Sequence, residues 1–257
     1  MNFLRAIVRE VSEDFAEGLT TSDLGAPDLG LARDQHRAYV EALRGCGLEV
    51  TVLPAAAGLP DSTFVEDVAV LLPHAAILTR PGAPARAAEV AALAPAIGGF
   101  FPSVHAIEAP GTLDGGDVCD AGRVHFIGVS GRTNEAGAFQ LARLLEAEGR
   151  PSIVVDIRDF PAILHLKSGI ASIGDDRLVA VEALVGHSAL AGFEIVPVAP
   201  GEGYAANCVR IRDTILVAAG YPRLEESLSA HGYPMIALDV SEFRKMDGGL
   251  SCLSLRW

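Results

Sequence analysis

One structural plan recurs along this chain and limits what it can fold into. A polar or Gly-containing turn leads into a short alternating strand, a tight connection and a second strand. The plan starts at Asp67, Asp117, Gly169 and Asn207, and a fifth copy at Cys252 stops after a single strand, CLSLRW. These starts are separated by 50, 52, 38 and 45 residues, a period that marks repeated supersecondary units. Hairpin connections are predicted at Gly122-Arg123, Asp175-Asp176 and Asp213-Thr214, where turn-forming residues separate alternating runs. Helices are predicted after several hairpins: over PARAAEVAALAPAI, over FQLARLLEAEG behind a Thr133-Asn134-Glu135 cap, and over RLEESLSAHG with Pro222 near its first turn. The N-terminal FLRAIVRE is an unclaimed strand. Pairing it with CLSLRW closes a ring of five units and removes exposed strand edges. The competing arrangement is an open α/β sheet with coincidental hairpins.

At 257 residues, half of them hydrophobic, the chain can bury a sizeable core, and a single domain over residues 1–257 is expected. The longest apolar run, Val68 to Leu78, is broken by Pro73 and His74 and is too short to span a bilayer. The opening MNFLRAIVREVSED has no apolar leader segment or cleavage site, so a cytoplasmic location without a membrane partner is expected. The formal charge of −13 argues against a nucleic-acid partner, which requires a basic surface, and suits a cationic small molecule. Four cysteines without a CxxC pair or nearby zinc-finger histidines speak against a structural zinc site.

The repeat brings distant residues together, because fivefold pseudo-symmetry sets Asp67, Asp117, Asn207 and Cys252 around one end of a central axis. Cys252 follows the Gly-rich DGGLS, which lets backbone N–H groups approach a reacting centre. A cysteine there is either a core residue or a nucleophile, and the nucleophile needs a base or cation beside it. His165, in LHLKSG, is placed at the same mouth, with Asp114 and Asp117 of TLDGGD as candidates to fix its tautomer. Glu66 and Asp67 are either solvated acids or a seat for a guanidinium, whose planar fork of donors matches carboxylates. Arg86 and Arg132 are surface residues or, by the same geometry, seats for a substrate carboxylate.

The motifs GLTTSDLG, PDSTFVEDV, TRPGA, IEAPGTLDGGDV, GRTNEAG, LHLKSG, YAANC, AGYPR and RKMDGGLSC, spread from residue 18 to residue 252, resemble those of the dimethylarginine dimethylaminohydrolases of the guanidine-modifying superfamily. The resemblance implies a five-bladed ββαβ propeller that converts Nω-methylated arginines to citrulline and methylamine or dimethylamine. It implies Cys252 as nucleophile, His165 as general acid/base and Asp114 as the acid behind it. Asp67, with Glu66 beside it, would hold the guanidinium, and Arg86 and Arg132 the substrate carboxylate. The Leu19 carbonyl and Asp61 would surround the substrate's amino end, and Phe64 and Met246 would line the pocket. No metal or organic cofactor is implied, and a homodimer is an open possibility, since relatives include dimers and monomers. Other readings are a deiminase or amidinotransferase of the same superfamily, or a non-catalytic arginine-binding protein. Residues between Gly18 and Asp28 read as a loop able to close over the site.

Overall fold

The computed structural model describes residues 3–257. In chain order it contains β1 (Arg5–Arg9), α1 (Leu29–Gly45) and β2 (Glu49–Leu53), then β3 (Ala69–Leu71), β4 (Ala75–Leu78), α2 (Ala87–Phe100) and β5 (Ser103–Ala106). Next come β6 (Val118–Asp120), β7 (His125–Val129), α3 (Glu135–Ala147) and β8 (Ser152–Asp156), followed by α4 (Leu166–Gly169), β9 (Ile170–Gly174), β10 (Arg177–Val181) and β11 (Glu194–Val198). The chain ends with β12 (Val209–Ile211), β13 (Thr214–Ala218), α5 (Pro222–Ala230), β14 (Met235–Leu238), α6 (Ser241–Arg244) and β15 (Leu255–Arg256).

The strands form five three-stranded sheets in a mixed α/β fold. In each, an antiparallel pair is extended by a third strand parallel to the middle one, as in β6-β7-β8. A parallel neighbour needs a crossover, supplied by α2, α3 and α5 in three sheets and by two short 3-10 turns between β10 and β11. The fifth sheet draws on both ends of the chain: β15 pairs antiparallel with β1, matching Ala6 to Arg256 and Ile7 to Leu255, and β1 pairs parallel with β2. The expected pairing of FLRAIVRE with CLSLRW is therefore present. Strand β9 packs beside β6 and β12, and β15 beside β3.

Each expected unit start falls in or beside a short helical turn directly before the first strand of a sheet. These turns are Val65–Val68, Gly115–Asp117, α4, Gly203–Ala206 and Ser251–Leu253. Local chemistry explains the neighbouring elements. Asp175 and Asp176 both adopt φ of 54°, as the two-residue connections that match strand twist require. The connection expected at Asp213-Thr214 sits one residue earlier: Arg212 takes the left-handed conformation and Thr214 already belongs to β13. Asn134 caps α3 by accepting the Gly137 N–H at 2.8 Å. The 17-residue α1 is the crossover of the fifth sheet, between β1 and its parallel neighbour β2; Asp28 caps it by accepting the Leu31 N–H.

The core is divided among the sheet contacts. Phe126, Val155, Ile170 and Leu178 share one cluster, and Ile173, Val179, Val196, Ile215 and Leu224 another. Strand β9 contributes to both, Ile170 to the first and Ile173 to the second. No helix among the described residues is long and apolar enough to cross a membrane.

Candidate active site

Those turns carry the candidate residues. Cys252 lies in the Ser251–Leu253 turn after the Gly248-Gly249 pair, and the Gly249 N–H points at its Sγ at 3.4 Å. Burial, with the negative charges of Glu66 and Asp67, pushes the thiol up to about 12, outweighing the Gly249 amide and Lys167. Near neutral pH this cysteine is a thiol.

His165 is buried at the N-terminus of α4, its Nε2 3.1 Å from Asp114 Oδ2. The other Asp114 oxygen accepts the Gly82 N–H at 2.8 Å. Burial opposes a charge on His165, but Asp67, the Asp114 hydrogen bond and Asp117 prevail and raise it to about 9. Asp117, the other candidate for this role, does not meet the imidazole through a hydrogen bond. Its carboxylate accepts the Leu166 N–H at 2.8 Å and the hydroxyls of Ser130 and Thr133 at 2.7 and 2.6 Å. It anchors the backbone after His165, while Asp114 addresses the ring.

Asp67 is buried, accepting the Gly116 N–H at 2.9 Å and lying 2.5 Å from an Arg86 nitrogen. Burial opposes its charge, yet His165 and Arg86 hold its carboxyl low, at about 2. Gly116 is required by close approach: a Cβ there would meet Asp67 Oδ1 at 2.7 Å and His165 Nδ1 at 2.8 Å. Arg86 is also buried, binding Glu89 through Nε and Nη2 and the carbonyls of Asp61 and Phe64 through Nη2. Removing it would leave two buried carboxylates without their cation, a loss of about 3–5 kcal/mol. The Arg132 guanidinium, by contrast, forms no ion pair or side-chain hydrogen bond among the described residues.

One cavity gathers Leu19, Asp61, Phe64, Asp67, Arg86, Arg132, His165, Met246 and Cys252. Asp114 stands behind His165 rather than on the wall. Glu66, placed beside Asp67 by the sequence, is turned away from this cavity. Its carboxylate meets Lys167 Nζ at 2.6 Å and Arg256 at 3.0 Å, and accepts the Ser251 hydroxyl at 2.6 Å. Successive residues of a tight helical turn diverge, so Glu66 and Asp67 cannot face the same space. Sequence reasoning missed Leu164, Asp247 and Gly248 on the wall; the signal for them was their place in LHLKSG and RKMDGGLSC.

The cavity measures about 30 Å³, room for roughly one or two waters. Leu19 is on its wall, and the segment Leu19 to Thr21 is bonded to the residues around it. The Leu19 N–H donates to both Asp61 oxygens at 3.1 Å, Thr20 donates to the Lys245 carbonyl, and Thr21 binds Asp247 through its N–H and hydroxyl. Donor atoms of Asp67, Asp114 and His165 lie within 4.8 Å of one another. They are committed to each other, Arg86 and backbone amides, so a cation there would displace those bonds.

The arginine deiminase family model matches residues 56–202. The chain is 40% identical over 256 residues to an N(G),N(G)-dimethylarginine dimethylaminohydrolase of Pseudomonas aeruginosa, covering 99% of this chain and 100% of that one. It is 38% identical to an enzyme of the same name from Streptomyces coelicolor, covering 98% and 96% of the two chains. A structure of a mutant of the Pseudomonas aeruginosa enzyme complexed with citrulline superposes with a TM-score of 0.96 and covers both chains in full. Identity of this extent across the whole chain, with the same fold, settles the family: the chain belongs to the dimethylarginine dimethylaminohydrolases.

Proposed function

We propose that this protein is a hydrolase that converts Nω-methylated arginines, both asymmetric dimethylarginine and monomethylarginine, to citrulline and dimethylamine or methylamine. The observation that carries the reading is a single cavity in which Cys252 faces a buried acid site and a raised, Asp114-supported His165. The relative's citrulline complex supports it, since citrulline is the product of this reaction.

In this reading the substrate guanidinium docks against Asp67, with its central carbon facing Cys252. A cation beside the thiol favours loss of its proton to solvent, so binding itself activates a nucleophile that rests protonated, while His165 keeps its own proton. The thiolate attacks the guanidinium carbon to give a tetrahedral intermediate. As the C–N bond to the alkylamine breaks, imidazolium His165 supplies the proton that the amine takes away. The S-alkylthiouronium left on Cys252 is attacked by water, with neutral His165 taking the water proton, and collapse releases citrulline and the thiolate. Asp61 and the Leu19 carbonyl hold the amino end, and Phe64 and Met246 flank the chain. Arg132 takes the substrate carboxylate, with Arg86 helping from its place on Asp67. Admission of an arginine-sized molecule to so small a cavity requires the Leu19–Thr21 segment to open. We also infer that the five sheets stand as blades of one closed propeller domain, and that the protein works in the cytoplasm.

The test is incubation with asymmetric dimethylarginine and assay of both products. Citrulline with dimethylamine supports the reading. Ammonia and citrulline from unmodified arginine, with no dimethylamine from the methylated compound, would move the chain to the deiminases. Arg132→Ala is expected to raise KM by about 10-fold or more with a smaller change in kcat, the loss of one charge-assisted contact. Equal kinetics for Arg132→Ala and wild type would remove it from the carboxylate site.

A pH profile provides a separate check. The acid form of His165 is required for amine departure, so the rate should fall as pH rises through about 9. Stability has the same sign. A histidine raised from 6.5 to about 9 contributes fully below 6.5 and loses that contribution as pH climbs through about 9. Melting temperature against pH should therefore decline across that window in the wild type, and less in His165→Gln.

A further inference from the structure

Asn207 stands at the start of the fourth repeated unit; it is not on the small cavity with Asp67 and His165 but lines a larger neighbouring one that also reaches Cys252, and it has no part in the reaction above. It is buried, and its amide is fully engaged. Oδ1 accepts the Ser251 N–H at 2.8 Å, while Nδ2 donates to the Lys167 carbonyl at 2.9 Å and to the Ser251 hydroxyl at 3.0 Å. Ser251 directly precedes Cys252, and Lys167 is two residues after His165. One side chain therefore ties the turn that carries the thiol to the turn that carries the imidazole. Ser251 passes the link on by donating its hydroxyl to Glu66, the residue before Asp67. Contact is close, since a Cβ on Gly249 would come within 2.6 Å of the Asn207 amide.

We propose that Asn207 is a positioning residue, which fixes the separation of Cys252 and His165 by clasping their two turns. This rests on the catalytic reading of those two residues. The requirement is geometric: the turns belong to different sheets, and backbone pairing within either sheet does not set the distance between them. An asparagine suits the place because it offers an acceptor and two donors at once. Aspartate is the same size but lacks the donors for the Lys167 carbonyl and the Ser251 hydroxyl. It would also bring a third negative charge toward Glu66 and Asp67.

The experiment compares Asn207→Ala, Asn207→Asp and Ser251→Ala with the wild type in steady-state kinetics on asymmetric dimethylarginine. Alkylation of Cys252 by iodoacetamide is followed by mass between about pH 7 and pH 10. Asn207→Ala and Asn207→Asp are expected to lower kcat by about 100-fold, the scale of a 1 Å misplacement of reacting groups, with KM changed by less than about threefold. Their alkylation profiles should also depart from the wild type, because the thiol moves relative to Asp67 and His165. Ser251→Ala keeps the backbone arm of the clasp and should show a smaller effect in the same direction. Wild-type kcat and an unchanged alkylation profile in Asn207→Ala would overturn the proposal, even with a lower melting temperature. If Asn207→Ala does not fold, Ser251→Ala is judged by the same two readouts. Failure of the wild type to release citrulline would count against the catalytic reading alone, because the alkylation profiles still report whether Asn207 sets the thiol's surroundings.

Discussion

Cys252→Ala is expected to bring dimethylamine release down by at least about 10⁴-fold, the scale on which enzymes lose activity with their nucleophile. The fold should survive. Cys252 sits at the margin of a core cluster built on Phe15, Tyr39, Phe64 and Phe243, and alanine removes one sulfur whose bond to the Gly249 amide is long. A change of about 1 kcal/mol would move the melting temperature by only about 2–4 °C in a chain of this size. The variant should still bind methylarginine, because Asp67, Arg132 and Asp61 are untouched. Binding without turnover, seen by calorimetry beside a product assay, separates loss of chemistry from loss of the site. Turnover within tenfold of the wild type would mean that the thiol is not the nucleophile.

The second large effect is expected from His165→Gln. Glutamine can still donate to Asp114, so the buried carboxylate keeps a partner, but it cannot carry or relay a proton. A loss of about 10²–10⁴-fold in kcat follows, the usual worth of general acid–base catalysis. The two half-reactions depend on His165 in opposite protonation states, so both should slow. Rapid-quench mass analysis checks this by comparing the rate of thiouronium formation on Cys252 with the rate of its decay. Normal formation with slow decay would restrict His165 to the hydrolytic half.

Much of this arrangement was legible in the sequence because the site is built on turns, and turn chemistry is written locally. Asp175-Asp176, Asn134 and the Gly248-Gly249 pair each act through residue-specific backbone demands. The third strands were harder to see. Val104 and Val154, 41% and 50% exposed, lie on strands open to solvent, where alternation is weak. Helix α1 was missed because the repeat drew attention to hairpins, although Asp28 offered a cap. Within the site, sequence spacing gave proximity but not direction. It set Glu66 and Asp67 side by side and could not show that only Asp67 faces the cavity. Nor could it show that Arg86 is already bound to Asp67, a contact made between a turn and the start of a helix nineteen residues later.

The seam between β1 and β15 has a mechanical consequence. Only two residue pairs register across it, reinforced by bonds between Trp257 and the backbone of Leu4 and Arg5. Because the strands run antiparallel with Leu4 and Trp257 at the same end of the seam, tension drawn between those residues would peel these bonds one at a time instead of loading them jointly. The nucleophile's turn begins four residues before β15, so strain on the seam is passed toward it and met by the Asn207 and Glu66 bonds to Ser251. Tension applied between Leu4 and Trp257 should therefore load this seam first, before the sheets that lie between those residues in the chain.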